Sequence, residues 1–130
     1  MKGKTIVQLA VFEFPVQKVF SALIDSERHS AFTGDQAEIN AQAGGRFSAY
    51  GGYVTGTFRK IIPNQLIVQD WRASDWPTGV YSKVKIELQE KRGTTTLMLT
   101  QDGVPDEFAE DISQGWHDYY WDRLRDYLEK

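Results

Sequence analysis

The sequence predicts an α+β fold: a curved antiparallel sheet of six to seven strands wrapped around one long C-terminal helix, with two short helices after the first strand. Three observations predict it. From residue 36 to about 103 every local signal is β, with paired glycines between short runs of alternating polarity. After Pro105 the apolar residues recur at three- and four-residue spacing for five turns. A helix with such a stripe must bury it, and the concave face of the sheet is the one large apolar surface available.

Taken in order, Thr5 to Glu13 is rich in β-branched and apolar residues and reads as a strand. Pro15 suits the first turn of a helix, and Val16, Val19, Phe20 and Leu23 follow at helical spacing. Asp25-Ser26-Glu27 supplies capping chemistry for a second short helix running to Phe32, ended by Thr33-Gly34. Gly44-Gly45 and Gly51-Gly52 mark turns. Tyr53 to Ile62 is a strand that stops at Pro63-Asn64, and Leu66 to Arg72 is the next. From Val80 to Leu88 the residues Val80, Ser82, Val84, Ile86 and Leu88 share one face, with Tyr81, Lys83, Lys85 and Glu87 on the other. Arg92-Gly93 turns this strand into Thr94 to Gln101.

In the final helix the stripe comprises Phe108, Ile112, Trp116, Tyr119, Tyr120, Leu124, Tyr127 and Leu128. Asp106, Glu107, Glu110 and Asp111 lie in its first turns, where the helix dipole favours negative charge. Gly115 interrupts it, at a cost of about 1 kcal/mol relative to alanine, and predicts close approach of a bulky sheet residue.

Composition narrows the functional classes. The 130 residues read as one domain, 1–130, with 41% hydrophobic and 25% charged residues. A net charge of −3 with no Lys/Arg run argues against a nucleic-acid partner. No apolar stretch reaches the roughly 18 residues of a membrane span, and the polar Met1–Thr5 start is followed by no signal-peptide core, so a cytoplasmic setting is expected. With no cysteine, disulfides, thiolate metal sites and cysteine nucleophiles are excluded.

Candidate chemistry is sparse. His29 and His117 are the two histidines; the first reads as a capping or solvated residue, the second as a solvated helix flank. No His-x-x-x-His or carboxylate cluster has metal-ligand spacing, no Gly-x-Ser-x-Gly occurs, and no phosphate-binding glycine pattern is present. The glycines from Gly44 to Gly56 read as turns and bulges that let the sheet curl. Asp70 falls on the solvent register, where it would pair with a nearby lysine or arginine. No metal, no cofactor and no catalytic residue is expected, and the protein reads as a binder rather than an enzyme.

Aromatic residues are the remaining signal, at 13% of the chain with four Trp, six Tyr and seven Phe. A sheet curled around one helix predicts a cavity between them, of roughly 300–1,000 Å³ if it takes a ligand. Its expected lining is Phe32, Phe47, Phe58, Gln69, Trp71, Ser82, Val84, Trp116 and Tyr120, with Gln69 and Ser82 as inward polar groups. Trp76-Pro77 lies in a loop, as a plug for the cavity mouth or an anchor for a protein partner, with Phe32-Thr33 as the opposite lip.

Several segments then point to a family. These are Ala31-Phe32-Thr33, Gly44-Gly45-x-Phe47, Gly52-Tyr53-Val54-Thr55-Gly56-x-Phe58, Ile67-Val68-x-x-Trp71-Arg72, Trp76-Pro77-x-Gly79-x-Tyr81-Ser82, Gly103-Val104-Pro105 and Gly115-Trp116-x-x-Tyr119-Tyr120. In order and spacing, over residues 5 to 128, they resemble the C-terminal domain of the activators of the heat-shock protein 90 ATPase, and the small proteins built from that domain alone. The resemblance implies a helix-grip, START-like fold. It also implies binding to a heat-shock protein 90 chaperone. In two-domain activators an N-terminal domain provides most of the stimulation; with four residues before the first strand, a single-domain member is expected. Other START-like proteins hold lipids or aromatic metabolites, so a carrier of a small apolar or aromatic ligand is the alternative.

Overall fold

The computed structural model describes residues 3–129. Met1 and Lys2, part of the polar N-terminal stretch noted above, lie outside the described residues. Strand β1 (Gly3–Phe12) leads into helices α1 (Val16–Ile24) and α2 (Ser26–Thr33). There follow β2 (Glu38–Ile39), β3 (Arg46–Ala49), β4 (Val54–Ile62), β5 (Leu66–Ala73), β6 (Ser82–Lys91) and β7 (Thr94–Pro105). A 3-10 turn, Asp106–Phe108, opens the C-terminal rod of α3 (Ala109–Gly115), a π-helical turn (Trp116–Trp121) and α4 (Asp122–Leu128).

The seven strands form one antiparallel sheet in the order β1-β7-β6-β5-β4-β3-β2. Alternation sets its two faces. On β6, Ser82, Val84, Ile86 and Leu88 are buried while their neighbours face water, as expected. Register shifts between Lys4 and Ile6 and between Phe58 and Lys60 bend the sheet. The bulges therefore lie outside the glycine-rich segment, whose paired glycines serve turns. Gly56 has a different duty: a Cβ there would meet the Asp70 carbonyl at 1.9 Å and the Phe47 ring at 2.6 Å, so only a bare backbone lets that ring lie across β4.

Local chemistry explains the short helices. The Asp25 side chain accepts from the Arg28 amide at 3.0 Å, and Gly34 closes α2 in the left-handed conformation, φ 76°. Across the sheet's outer surface Arg59 pairs with Asp70, the solvent-side role expected of that carboxylate.

Two glutamines tie the C-terminal rod to the sheet. Trp116 Nε1 donates to buried Gln101 Oε1 at 2.7 Å, and Gln101 Nε2 donates to Ser82 Oγ at 2.9 Å, which donates to the Trp71 carbonyl. Trp121 Nε1 donates to Gln8 Oε1 at 2.8 Å, while Gln8 Nε2 reaches the Ser113 carbonyl. The indole N–H groups of Trp116 and Trp121 are thus satisfied inside an apolar core, where an orphan costs about 1–3 kcal/mol.

The rod corrects two expectations. Gly115 admits no sheet residue: a Cβ there would meet only the Tyr119 side chain of the same rod, at an ordinary 3.7 Å. It stands immediately before the π-turn, which takes in one extra residue and changes the phase of the stripe. In a plain α-helix Trp121 would lie roughly 140° around from Trp116. Here the two rings stack, centroids 5.3 Å apart, and Trp121 is 1% exposed. Tyr119, placed in the stripe by periodicity, is 50% exposed on the flank.

Candidate functional site

The expected cavity divides in two. Deep between sheet and rod, Phe47, Phe58, Gln69, Trp71, Trp116 and Tyr120 come together, but they leave only about 20 Å³. That is room for about one water. Nearer the surface the same wall of aromatics opens into a cleft of about 610 Å³.

Three parts of the chain build the cleft. The rod supplies Asp111, Ile112, Gly115, Trp116, Tyr119, Tyr120 and Arg123. The end of α2 supplies Thr33, Gly34 and Asp35, and the turn into β4 supplies Tyr50, Tyr53 and Val54, with Trp71 at the base. The rings are contiguous: Trp71 to Trp116 is 5.8 Å between centroids, Trp116 to Tyr120 is 4.7 Å, and Tyr120 to Tyr50 is 5.7 Å. Tyr50 meets Tyr119 edge-on at 5.9 Å.

Hydrogen bonds fix the walls. The Tyr50 hydroxyl donates to the Tyr119 carbonyl, which lies in the π-turn. Arg123 Nη1 donates to the Thr33 carbonyl, and its guanidinium lies over the Tyr119 ring at 5.1 Å. The Tyr53 hydroxyl donates to Asp75 at 3.2 Å. Burial pushes the Tyr50 hydroxyl well above the ordinary tyrosine range, Arg123 opposing and Asp35 adding to the rise. Burial first, then Asp75, also raises Tyr53.

Behind the cleft stands His29, and here the sequence expectation is wrong. The residue is buried, 6% exposed, with its ring 4.8 Å from Phe32 and 5.4 Å from Tyr120. Nδ1 lies 3.2 Å from the Leu23 carbonyl, which can only accept, so Nδ1 carries the proton. Nε2 then accepts from the Tyr120 hydroxyl at 3.2 Å. Burial holds the imidazole neutral by lowering its pKa from 6.5 to about 4, against the opposing pull of the Leu23 carbonyl. Burial likewise drives Tyr120 upward. His117 is exposed.

Other expected lining residues are placed elsewhere. Phe32 packs against Tyr120 and Tyr127 as part of the α2–rod contact, and lines neither space. Ser82 and Val84 are buried in β6, the serine spent on the Gln101 network. Trp76 is 3% exposed, between Trp71 at 5.5 Å and Phe108 at 6.3 Å, so its ring offers no ready surface to a partner. Arg72 holds its loop down by donating to the carbonyls of Trp76 at 2.7 Å, Pro77 and Val80. Pro77 is exposed.

Periodicity missed Tyr50, Tyr53, Asp35, Asp111 and Arg123. Tyr50 directly precedes Gly51-Gly52, and that pairing of an aromatic with a turn was the available signal. Among the described residues, no group of three or more His, Asp or Glu is placed to hold a metal ion, and no helix is long and apolar enough to cross a membrane.

A seven-stranded antiparallel sheet gripping a C-terminal helix defines the helix-grip, START-like class. Within it the chain belongs to the family described as activator of Hsp90 ATPase homolog 1-like protein, which matches residues 13–129. It is 30% identical over 109 residues to the human activator of 90 kDa heat shock protein ATPase homolog 1, covering 84% of this chain and 32% of that protein. The corresponding Dictyostelium discoideum homolog is 28% identical over 94% of this chain and 32% of its own length. The chain thus spans about a third of the curated relatives it matches. A crystal structure of an HSP90 activator from Plasmodium falciparum superposes with a TM-score of 0.90 at 25% identity, covering 96% of both chains. A Mesorhizobium loti protein shares the fold at a TM-score of 0.82 and 19% identity, over 97% of each chain.

Proposed function

We propose that this domain is a non-enzymatic binding module that docks on a heat-shock protein 90 chaperone. The observation that carries it is the filled interior: with about 20 Å³ between sheet and rod, recognition falls to the outer surface and its aromatic cleft. Two features support the choice of partner: membership of the activator family, and the close superposition on a protein described as an HSP90 activator. The absence of catalysis is supported by the site's own chemistry. The buried histidine is engaged on both nitrogens and shielded behind Tyr120, so it is not presented to a substrate as a general base.

A second reading is favoured by the cleft's volume and its ring-lined wall, which suit a small apolar or aromatic ligand. Native mass spectrometry tests both. The protein mixed with a heat-shock protein 90 chaperone from the same source is expected to give a complex. A co-purifying small molecule without any such complex would replace the first reading with the second.

A further inference from the structure

The charges around the cleft restrict what it can hold. Its lining carries two carboxylates, Asp35 and Asp111, and a third, Asp75, sits against the Tyr53 hydroxyl at its edge. Asp35 is held in place, its Oδ1 accepting from the Gln36 amide at 2.9 Å and standing over Gly51. Arg123 is the one cation among the lining residues, and it is already engaged by the Thr33 carbonyl and the Tyr119 ring. The wall between is a run of aromatic rings from Trp71 through Trp116 and Tyr120 to Tyr50 and Tyr119.

Aromatic faces and carboxylates both attract positive charge, and rings also accept apolar surface. The two carboxylates outnumber the single guanidinium, whose Nη1 and face are committed to Thr33 and Tyr119, so a carboxylate or phosphate ligand would meet net repulsion. We infer that the cleft recognises an organic cation, an ammonium or guanidinium group on an apolar body. The inference rests on the binding reading above and specifies its chemistry. Such a cation has two sources: a small amine, or a lysine or arginine side chain of the partner protein.

The test is a titration of the purified protein with 4-phenylbutylamine and, separately, its anionic counterpart 4-phenylbutyrate. Tryptophan fluorescence and amide NMR shifts at Gly34, Gly115 and Tyr119 report on the cleft. The amine is expected to perturb these residues and to bind about tenfold or more tighter than the carboxylate, a difference that shrinks as salt is added. Asp35→Asn combined with Asp111→Asn should remove most of that preference without lowering the melting temperature. Tyr119→Leu, which keeps apolar bulk and removes a ring, should weaken the amine alone. Equal binding of the two probes, or no amine-dependent shift at millimolar concentration, overturns the inference.

Adding the chaperone separates the sources. Displacement of a chaperone complex by the amine identifies a partner side chain as the cation, whereas amine binding without displacement identifies a small amine. A chaperone complex formed by a protein whose cleft ignores the amine sinks the cation site and leaves the binding reading standing. Amine binding with no chaperone complex does the reverse.

Discussion

Neutral His29 is wedged between the Leu23 carbonyl and the Tyr120 hydroxyl, with the Phe32 ring 4.8 Å away. Above pH 6.5 both folded and unfolded chains leave it uncharged, so it carries no penalty there. As pH falls below 6.5 the unfolded chain gains a proton that the folded protein refuses until about pH 4. Stability is therefore expected to drop across that window, by about 3 kcal/mol from this residue at full effect. Denaturant melts of the protein and of His29→Gln at pH 7, 5.5 and 4 check it, since the variant should lose that share of the slope. Trp76 leads to the opposite expectation from its sequence context. A loop tryptophan serving a partner would tolerate truncation, but this one is 3% exposed against Trp71 and Phe108. Trp76→Ala should cost roughly 3–5 kcal/mol by chemical denaturation, in spite of an indole N–H that has no partner among the described atoms. Gln101→Leu should cost about 1–3 kcal/mol, because it orphans the Trp116 indole and breaks the link to Ser82.

At the scale of elements, the π-turn governs the site. By taking in an extra residue between Trp116 and Trp121 it turns Trp121 inward and Tyr119 outward, where the Tyr119 carbonyl accepts from Tyr50. Deleting exposed His117 lets this stretch become ordinary α-helix while Leu124 keeps its inward phase. Such a deletion is expected to leave a folded protein, with a loss inside the roughly 0.5–3 kcal/mol of a common substitution. Deleting Gln114 from α3 has no extra residue to absorb and should unfold the domain. Circular dichroism and denaturant midpoints of the two variants read the difference directly.

For the whole molecule, the sheet divides into a well-supported and a poorly supported end. Strands β5, β6 and β7 are interior to the sheet and carry Ile67, Val84, Leu97 and Leu99 at 1% exposure or less, whereas β2 is two residues long at one edge. Hydrogen exchange should be slowest in β6 and β7 and fastest around residues 38–45. The opposite edge, β1, shows a different character: Val7, Leu9 and Val11 are 50–62% exposed, beside Met98 of β7. The cleft lies away from this edge, between the rod, the end of α2 and the turn into β4, so it closes only when all three have docked.

The order of elements, both helix caps, the hairpin at Arg92-Gly93 and the inward face of β6 were all legible in the sequence, because each depends on neighbours a few residues away. The aromatic wall was legible in part: Trp71, Trp116 and Tyr120 follow from alternation and helical spacing. What lines the open cleft was not, since Asp35, Tyr50, Tyr53 and Arg123 are distant in sequence and meet only through the curl of the sheet. The burial of His29 and Trp76, and the exposure of Tyr119, escaped for a related reason. Periodicity assumes an unbroken helix and a solvated loop. Whether a polar or bulky residue is buried is decided by what the rest of the chain brings against it, and the phase of the rod was decided by a widened turn that lets two tryptophans stack and satisfy their N–H groups on glutamines of the sheet.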